Sequence, residues 1–414
     1  MNALQTVMIL ISFSTLLGYI SARHLRVQPS VAILCMSLIS IIALKTIDTT
    51  LAPIIYLQHI SNLVNAANFR SVLIDLMLPM LLFAGAASLR TNLIKKRAVE
   101  ISMLAIVSTL LSMIIIGFGL HWITNALNNP IPLIHCFLFG ALISPTDPVA
   151  VVGMLKHANI EPEIEAKVAG ESLFNDGIGI VMFLTIAQLI EDQSQAVTLS
   201  STLLRFLTEV LGGLSIGIVS GLVCKRIMIL QDTDTHTNLL ISLFVVTGIY
   251  TLCNLVHISG ALAVVACGLI ISHHIEKHSH AKSVLRHFWG TLEEILNMIL
   301  YLLIGFESIN MSLGTPEIIL SVSIIILALL TRSFTVILPF RTLLRHKKVS
   351  KQAERILIWG GLRGGLAIAL ALSIPYSPYH NWIMIATYAV VCFTNLIQGS
   401  TIRYLIQPGS TSTQ

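Results

Sequence analysis

The chain has 414 residues, of which 55% are hydrophobic and only 11% charged, against about 25% charged in a soluble domain. With a mean hydropathy of +0.85, this composition excludes a soluble globular protein. The net charge of +5 is carried by short connections between apolar runs and implies no nucleic-acid partner.

Apolar runs able to cross about 30 Å of hydrocarbon as helices recur from end to end. They predict an all-α polytopic membrane protein of about 13 transmembrane helices, a single transporter domain over 1–414. The spans fall at 4–22, 31–46, 71–89, 98–124, 133–155, 168–190, 200–224, 237–256, 259–275, 290–308, 316–340, 356–374 and 380–402. The stretch 50–66 could hold a short interfacial helix, and the tail Pro408–Gln414 is too short to fold. Span 1 lacks a basic leader, since Arg23 and Arg26 follow it, and reads as a retained helix. The six cysteines show neither paired nor metal-ligand spacing and read as small hydrophobes. Connections after odd-numbered spans hold 19 of the 25 basic residues, and those after even-numbered spans hold only Arg70. Lys/Arg bias marks the cytoplasmic side, so the N-terminus is expected outside and the C-terminus in the cytoplasm.

Span 5 contains Ser144-Pro-Thr-Asp-Pro-Val149. Two prolines each remove a backbone donor and clash with the preceding turn, so a straight helix through Thr146 and Asp147 is not expected. Broken backbone at membrane depth survives only where protein or a water-filled cavity satisfies it. Span 12 has its own disturbance, Gly360-Gly-Leu-Arg-Gly364, around the intramembrane Arg363. With spans 1–6 (4–190) and 8–13 (237–402) as units joined by span 7 (200–224), each break falls in the fifth helix of its unit. Equivalent helices are then seven spans apart, so the units are expected to be inverted repeats, the pattern of a secondary transporter with a midplane site.

Span 6 carries Gly170-Glu-Ser-Leu-Phe-Asn-Asp-Gly177. An ionisable group in hydrocarbon costs roughly 2.5–3.5 kcal/mol on insertion scales and marks a functional site by default. On a helix Ser172 and Asp176 share one face, and Glu171 and Asn175 the next. Asp176 can thus present a carboxylate, with Ser172 and Asn175 oxygens, toward Thr146 and Asp147 of span 5. Oxygen donors without His or Cys suit a hard cation. One carboxylate can hold a proton or a cation but not both, and with alternating access that competition is exchange. Asp147 could instead cap a half-helix. Arg363 needs a counter-charge, and Glu171 is expected to supply it as a structural ion pair. Lys45 and Arg332 are expected to snorkel from span ends. Asp75 could simply face the interface. The stretch His273, His274, His278, His280 and His287 reads as a solvated inward-facing loop, with pH sensing as the sharper alternative.

The three motifs resemble the signatures of the monovalent cation/proton antiporter family, in the branch of NhaP-type and NHE-type sodium/proton exchangers. The resemblance implies thirteen helices, a homodimer, and a core that moves against a dimerisation domain. By motif match Asp176 would be the ion- and proton-binding carboxylate, Asn175 its partner, and Thr146, Asp147 and Ser172 further site residues. Sodium would sit at Asp176, Ser172 and Thr146, and Glu171 and Arg363 would form the ion pair. The Asn-Asp pair implies electroneutral exchange. One departure stands out: Leu82-Phe83 is followed by Ala84, where some members carry an acid, which leaves cation preference open.

The expected function is a secondary antiporter of the inner (plasma) membrane, not an enzyme and without cofactors. It would exchange protons for Na⁺, and also Li⁺. Potassium/proton exchange is the alternative within the class. A cation channel would more often use symmetric rings from several subunits, and a membrane hydrolase lacks a His base near Ser172.

Overall fold

The computed structural model describes residues 3–24, 32–40, 72–89, 91–157, 161–191, 199–230, 235–275, 279–307, 314–342, 351–374 and 377–406, and all regular structure among them is helical. The first helices are α1 (Ala3–His24), α2 (32–40), α3 (Val72–Ser88), α4 (Thr91–Lys96) and α5 (Ala98–Ala126). Then come α6 (Leu133–Ile143), α7 (Val149–His157), α8 (Pro162–Glu191), α9 (Leu199–Leu230), α10 (Thr235–Leu255) and α11 (Gly260–Ile275). The last are α12 (Ser279–Glu307), α13 (Thr315–Arg341), α14 (Lys351–Trp359), α15 (Gly365–Leu372) and α16 (His380–Leu405).

Among the described residues six helices, α5, α8, α9, α10, α13 and α16, are long and apolar enough to cross a membrane. α9 presents Leu203, Leu207, Leu211, Ile218 and Leu222 outward, and α13 presents Ile319, Val322, Ile326 and Leu330. Such rows, three, four or seven residues apart, place one apolar stripe of each helix outside the protein core, where lipid is its solvent. The chain is a multi-pass membrane protein. The stretch 50–66, Lys45 and the tail Pro408–Gln414 lie outside the described residues.

Both expected breaks are present. Helix stops at Ile143 and resumes at Val149, and stops at Trp359 and resumes at Gly365. Elsewhere helices run further than hydropathy predicts, because their extra turns are amphipathic. α8 starts at Pro162, and α14 starts at Lys351 and buries Ala353, Ile356 and Leu357. The histidine-rich stretch is corrected in the same way. His273 and His274 lie in α11 and His280 and His287 in α12, while His278 is outside the described residues. Leu285 and Trp289, four residues apart and buried, give this segment the inward stripe that makes it helical. Asp75 is exposed in the π-helical turn Val72–Met77 that opens α3.

The helices pack in two groups. α3 packs against α11 and α12, α9 against α10 and α11, and α1 against α12. The second group joins α5 to α6 and α13, α6 to α8, and α16 to α13 and α15. In the first group the α9–α11 seam runs along Gly213, Gly217 and Gly221, and a Cβ on Gly217 would lie 2.3 Å from the Ala263 carbonyl oxygen. The groups meet where α8 lies against α3, α9 and α11, and where α12 lies against α15.

Candidate functional site

The two unwound segments are fastened to each other. The Asp147 N–H donates to the Leu362 carbonyl at 2.7 Å. Arg363 donates through Nη1 to the Pro145 carbonyl at 2.8 Å and to the Ser144 carbonyl. These are carbonyls at the C-terminal end of α6 that no further helical turn satisfies. The buried cation thus sits at the negative end of one half-helix, while Asp147 lies just before the positive N-terminus of α7. Close approach is required twice here. A Cβ on Gly179 would lie 2.2 Å from Pro145 Cγ, and one on Gly364 would lie 2.3 Å from Asp147 Oδ2.

α8 supplies the other wall. Asn175 accepts the Thr146 N–H at 3.2 Å through Oδ1. Its Nδ2 donates to Thr146 Oγ1 at 2.9 Å and to Glu171 Oε1 at 3.2 Å. Ser172 Oγ and Thr146 Oγ1 are 3.0 Å apart. A break that two prolines force in span 5 is therefore repaired by side chains one turn apart on α8, as buried backbone groups require.

The expected Glu171–Arg363 pair is corrected by these contacts. Glu171 is gripped by Arg332 of α13, Nη1 to Oε1 at 2.7 Å and Nη2 to Oε2 at 2.8 Å. Arg332 also donates to the Leu357 carbonyl at the end of α14, at 3.2 Å through Nε and 3.0 Å through Nη2. Arg363 spends its guanidinium on the span 5 carbonyls instead. Arg332 cannot snorkel, because it lies nine residues before Arg341 at the helix end, roughly 13 Å at 1.5 Å per residue. That depth was the available signal, since a basic residue so far inside a span needs an internal partner.

Asp176, Asp147 and Thr146 come together on a cavity of about 510 Å³. Asp176 is partly exposed there, and its carboxylate makes no hydrogen bond or salt bridge to the described residues. Ser172 and Asn175 lie off the cavity, behind Thr146. Across from Asp176 the lining comes from α12, with Glu293, Asn297 and Leu300, and it extends along α8 and α12 to Pro162 and Arg286. Two further residues escaped the sequence reading. Asn395, in the π-helical turn Thr394–Gln398 of α16, donates to the Arg363 carbonyl at 2.7 Å. Tyr301 of α12 donates to Asn395 Oδ1 at 2.9 Å. A lone amide and a lone tyrosine in apolar spans carry no motif. No group of three or more His, Cys, Asp or Glu side chains suited to a metal ion occurs among the described residues. The donor set at Asp176 is a few hard oxygens beside a cavity large enough for water, which suits a monovalent cation in transit rather than one held in place.

The family described as sodium/hydrogen exchanger, transmembrane, matches residues 10–407. The chain is 33% identical over 98% of its length to the Na(+)/H(+) antiporter NhaP of Pseudomonas aeruginosa, covering 96% of that protein. It is 31% identical to the Na(+)/H(+) antiporter NhaH of Halobacillus aidingensis, covering 82% of this chain and 83% of the relative. The solved sodium proton antiporter MjNhaP1 of Methanocaldococcus jannaschii superimposes with a TM-score of 0.75 at 19% identity, covering 98% of both chains, so the fold is shared.

Proposed function

The chain belongs to the sodium/hydrogen exchanger family, and on that premise we propose that it exchanges Na⁺ for H⁺ across the membrane at Asp176. The observation that carries this reading is a cavity-facing carboxylate that makes no hydrogen bond or ion pair to the described residues, with Asp147 beside it on the same cavity. Glu171 is neutralised by a bidentate arginine and Arg363 is satisfied by carbonyl oxygens, whereas Asp176 faces a cavity broad enough to admit water. Thr146, Asp147 and cavity water supply the remaining oxygens around a cation, and protonation of Asp176 expels it. Ser172 and Asn175 act by holding Thr146 in place. One proton and one Na⁺ compete for one carboxylate, so exchange is electroneutral, and Li⁺ fits the same hard oxygens.

The cavity reaches the ends of α8 and α12 that the basic connections mark as cytoplasmic. The structure is thus read as inward-facing, with the N-terminus outside, in the inner (plasma) membrane. The inverted repeat gains support from matching braces, since Asn175 holds the break of span 5 and Asn395 that of span 12. In this reading thirteen crossings and a homodimer complete the assembly, with the second helix group as the moving core. Everted vesicles carrying a pH gradient test it. Na⁺ dissipates the gradient with the wild type and not with Asp176→Asn. Dissipation by K⁺ alone would reassign the cation, and conduction without proton movement would favour a channel.

A further inference from the structure

Tyr301 and Asn395 join the two helix groups just past Leu300, the last residue of α12 on the cavity. Tyr301 belongs to α12, which packs with α1, α3 and α10, and Asn395 belongs to α16, which packs with α13 and α15. The phenol is buried and donates to Asn395 Oδ1 at 2.9 Å. The amide has no freedom to turn over. Its Nδ2 already donates to the Arg363 carbonyl at 2.7 Å and to the Val391 carbonyl at 2.8 Å, and a flipped amide would set oxygen against both. Asn395 Oδ1 therefore points at α12, where Tyr301 supplies the donor, and without it a buried acceptor is left unmade.

The same Asn395 holds the unwound segment 360–364, whose Leu362 carbonyl accepts the Asp147 N–H. One residue before Tyr301, Leu300 closes on α15, because a Cβ on Gly365 would lie 2.9 Å from Leu300 Cβ. Leu300 and Gly365 both line the cavity. Along α12 the lining runs from Arg286 to Leu300, roughly 21 Å at 1.5 Å per residue, and stops at Tyr301.

We propose that Tyr301 is a positioning residue for exchange, and that its hydrogen bond to Asn395 latches α12 to the unwound segment of span 12 while Asp176 faces the cavity. The proposal rests on the exchange reading. For the site to face the opposite side, α12 and α16 must part, and this bond breaks. Loss of the phenol oxygen shifts the equilibrium away from the structure described here, and an apparent affinity falls in proportion to the fraction of the competent state.

Tyr301→Phe keeps the ring and removes the bond. In proteoliposomes the Na⁺ KM is expected to rise about tenfold on the cavity face and to fall on the opposite face, a shift equivalent to ~1.4 kcal/mol. In the purified full chain, backbone amide exchange is expected to quicken at 360–364 and 394–398 and to stay unchanged in α8. Asn395→Ser cuts the same link from the other side but also frees the Arg363 carbonyl, so if the tyrosine variant does not reach the membrane its readout is the opposed KM shift on the two faces alone. Unchanged KM on both faces, or a rise of equal size on both, overturns the latch, as does unchanged amide exchange at 360–364. Wild-type vesicles without Na⁺-dependent proton movement would contradict the exchange reading, while the amide exchange still decides whether the latch exists.

Discussion

Arg332 grips both carboxylate oxygens of Glu171, at 2.7 and 2.8 Å, and with its remaining donors holds the end of α14. Four elements, α8, α13, α14 and through Asn175 the broken span 5, are thereby joined at one buried ion pair. Removing one member of such a pair leaves an uncompensated buried charge, which costs about 3–5 kcal/mol. Arg332→Ala is therefore expected to reduce folded protein in the membrane and to lower thermal stability in detergent. Arg332→Lys recovers little, because a point charge cannot make the forked contact. Glu171→Gln combined with Arg332→Gln is milder than either alone, since no charge is then left unpaired. Fluorescence-detected size exclusion with a thermal ramp measures each variant.

The Asn175 brace predicts a different outcome. Asn175→Ala leaves the Thr146 N–H without its acceptor, a buried loss of about 1–3 kcal/mol, and releases the unwound segment from α8. Folded yield is expected to fall modestly and transport to fall more, because Thr146 and Asp147 lose their register against Asp176. Comparing yield with Na⁺-dependent proton flux in the same vesicle preparation checks the split.

Gly364→Ala places a methyl group 2.3 Å from Asp147 Oδ2, so the Asp147 side chain must move. The expected result is strongly reduced transport with a smaller loss of stability. Gly248→Ala is the control, because a Cβ there meets nothing within 4 Å. It is expected to leave transport intact and to stabilise α10 by up to about 1 kcal/mol through helix propensity.

Gly217→Val tests the α9–α11 seam. The added carbons collide with backbone, the Ala263 carbonyl at 2.3 Å, which cannot rotate away as a side chain would. Overpacking of this kind costs about 1–3 kcal/mol or more. Thermal unfolding is expected at lower temperature, as a thermal ramp in detergent measures.

Where a signal was local it was legible in the sequence. Pro145 and Pro148 announce the first break because proline acts on its own backbone, and four glycines announce the second. Asp176 stands out because hydrocarbon tolerates few carboxylates. Pairing across the fold was not legible in the same way. Arg363 and Arg332 are both intramembrane cations, and only the crossing of the unwound segments decides that the first serves the Ser144 and Pro145 carbonyls and the second serves Glu171. Hydropathy likewise missed the first turns of α12 and α14, where charged and polar residues in the sequence dilute the apolar ones, although Leu285, Trp289, Ile356 and Leu357 are buried. Tyr301 and Asn395 resemble any other tyrosine and asparagine until α12 and α16 are placed side by side.

The central claim is that one carboxylate holds either the proton or the cation. Purified protein in weakly buffered detergent, titrated with NaCl at a pH where the site is protonated, measures this directly through released protons. The account predicts about one proton released per Na⁺ bound by the wild type, and neither binding nor release by Asp176→Asn. Sodium binding without proton release, or proton release persisting in Asp176→Asn, would contradict it.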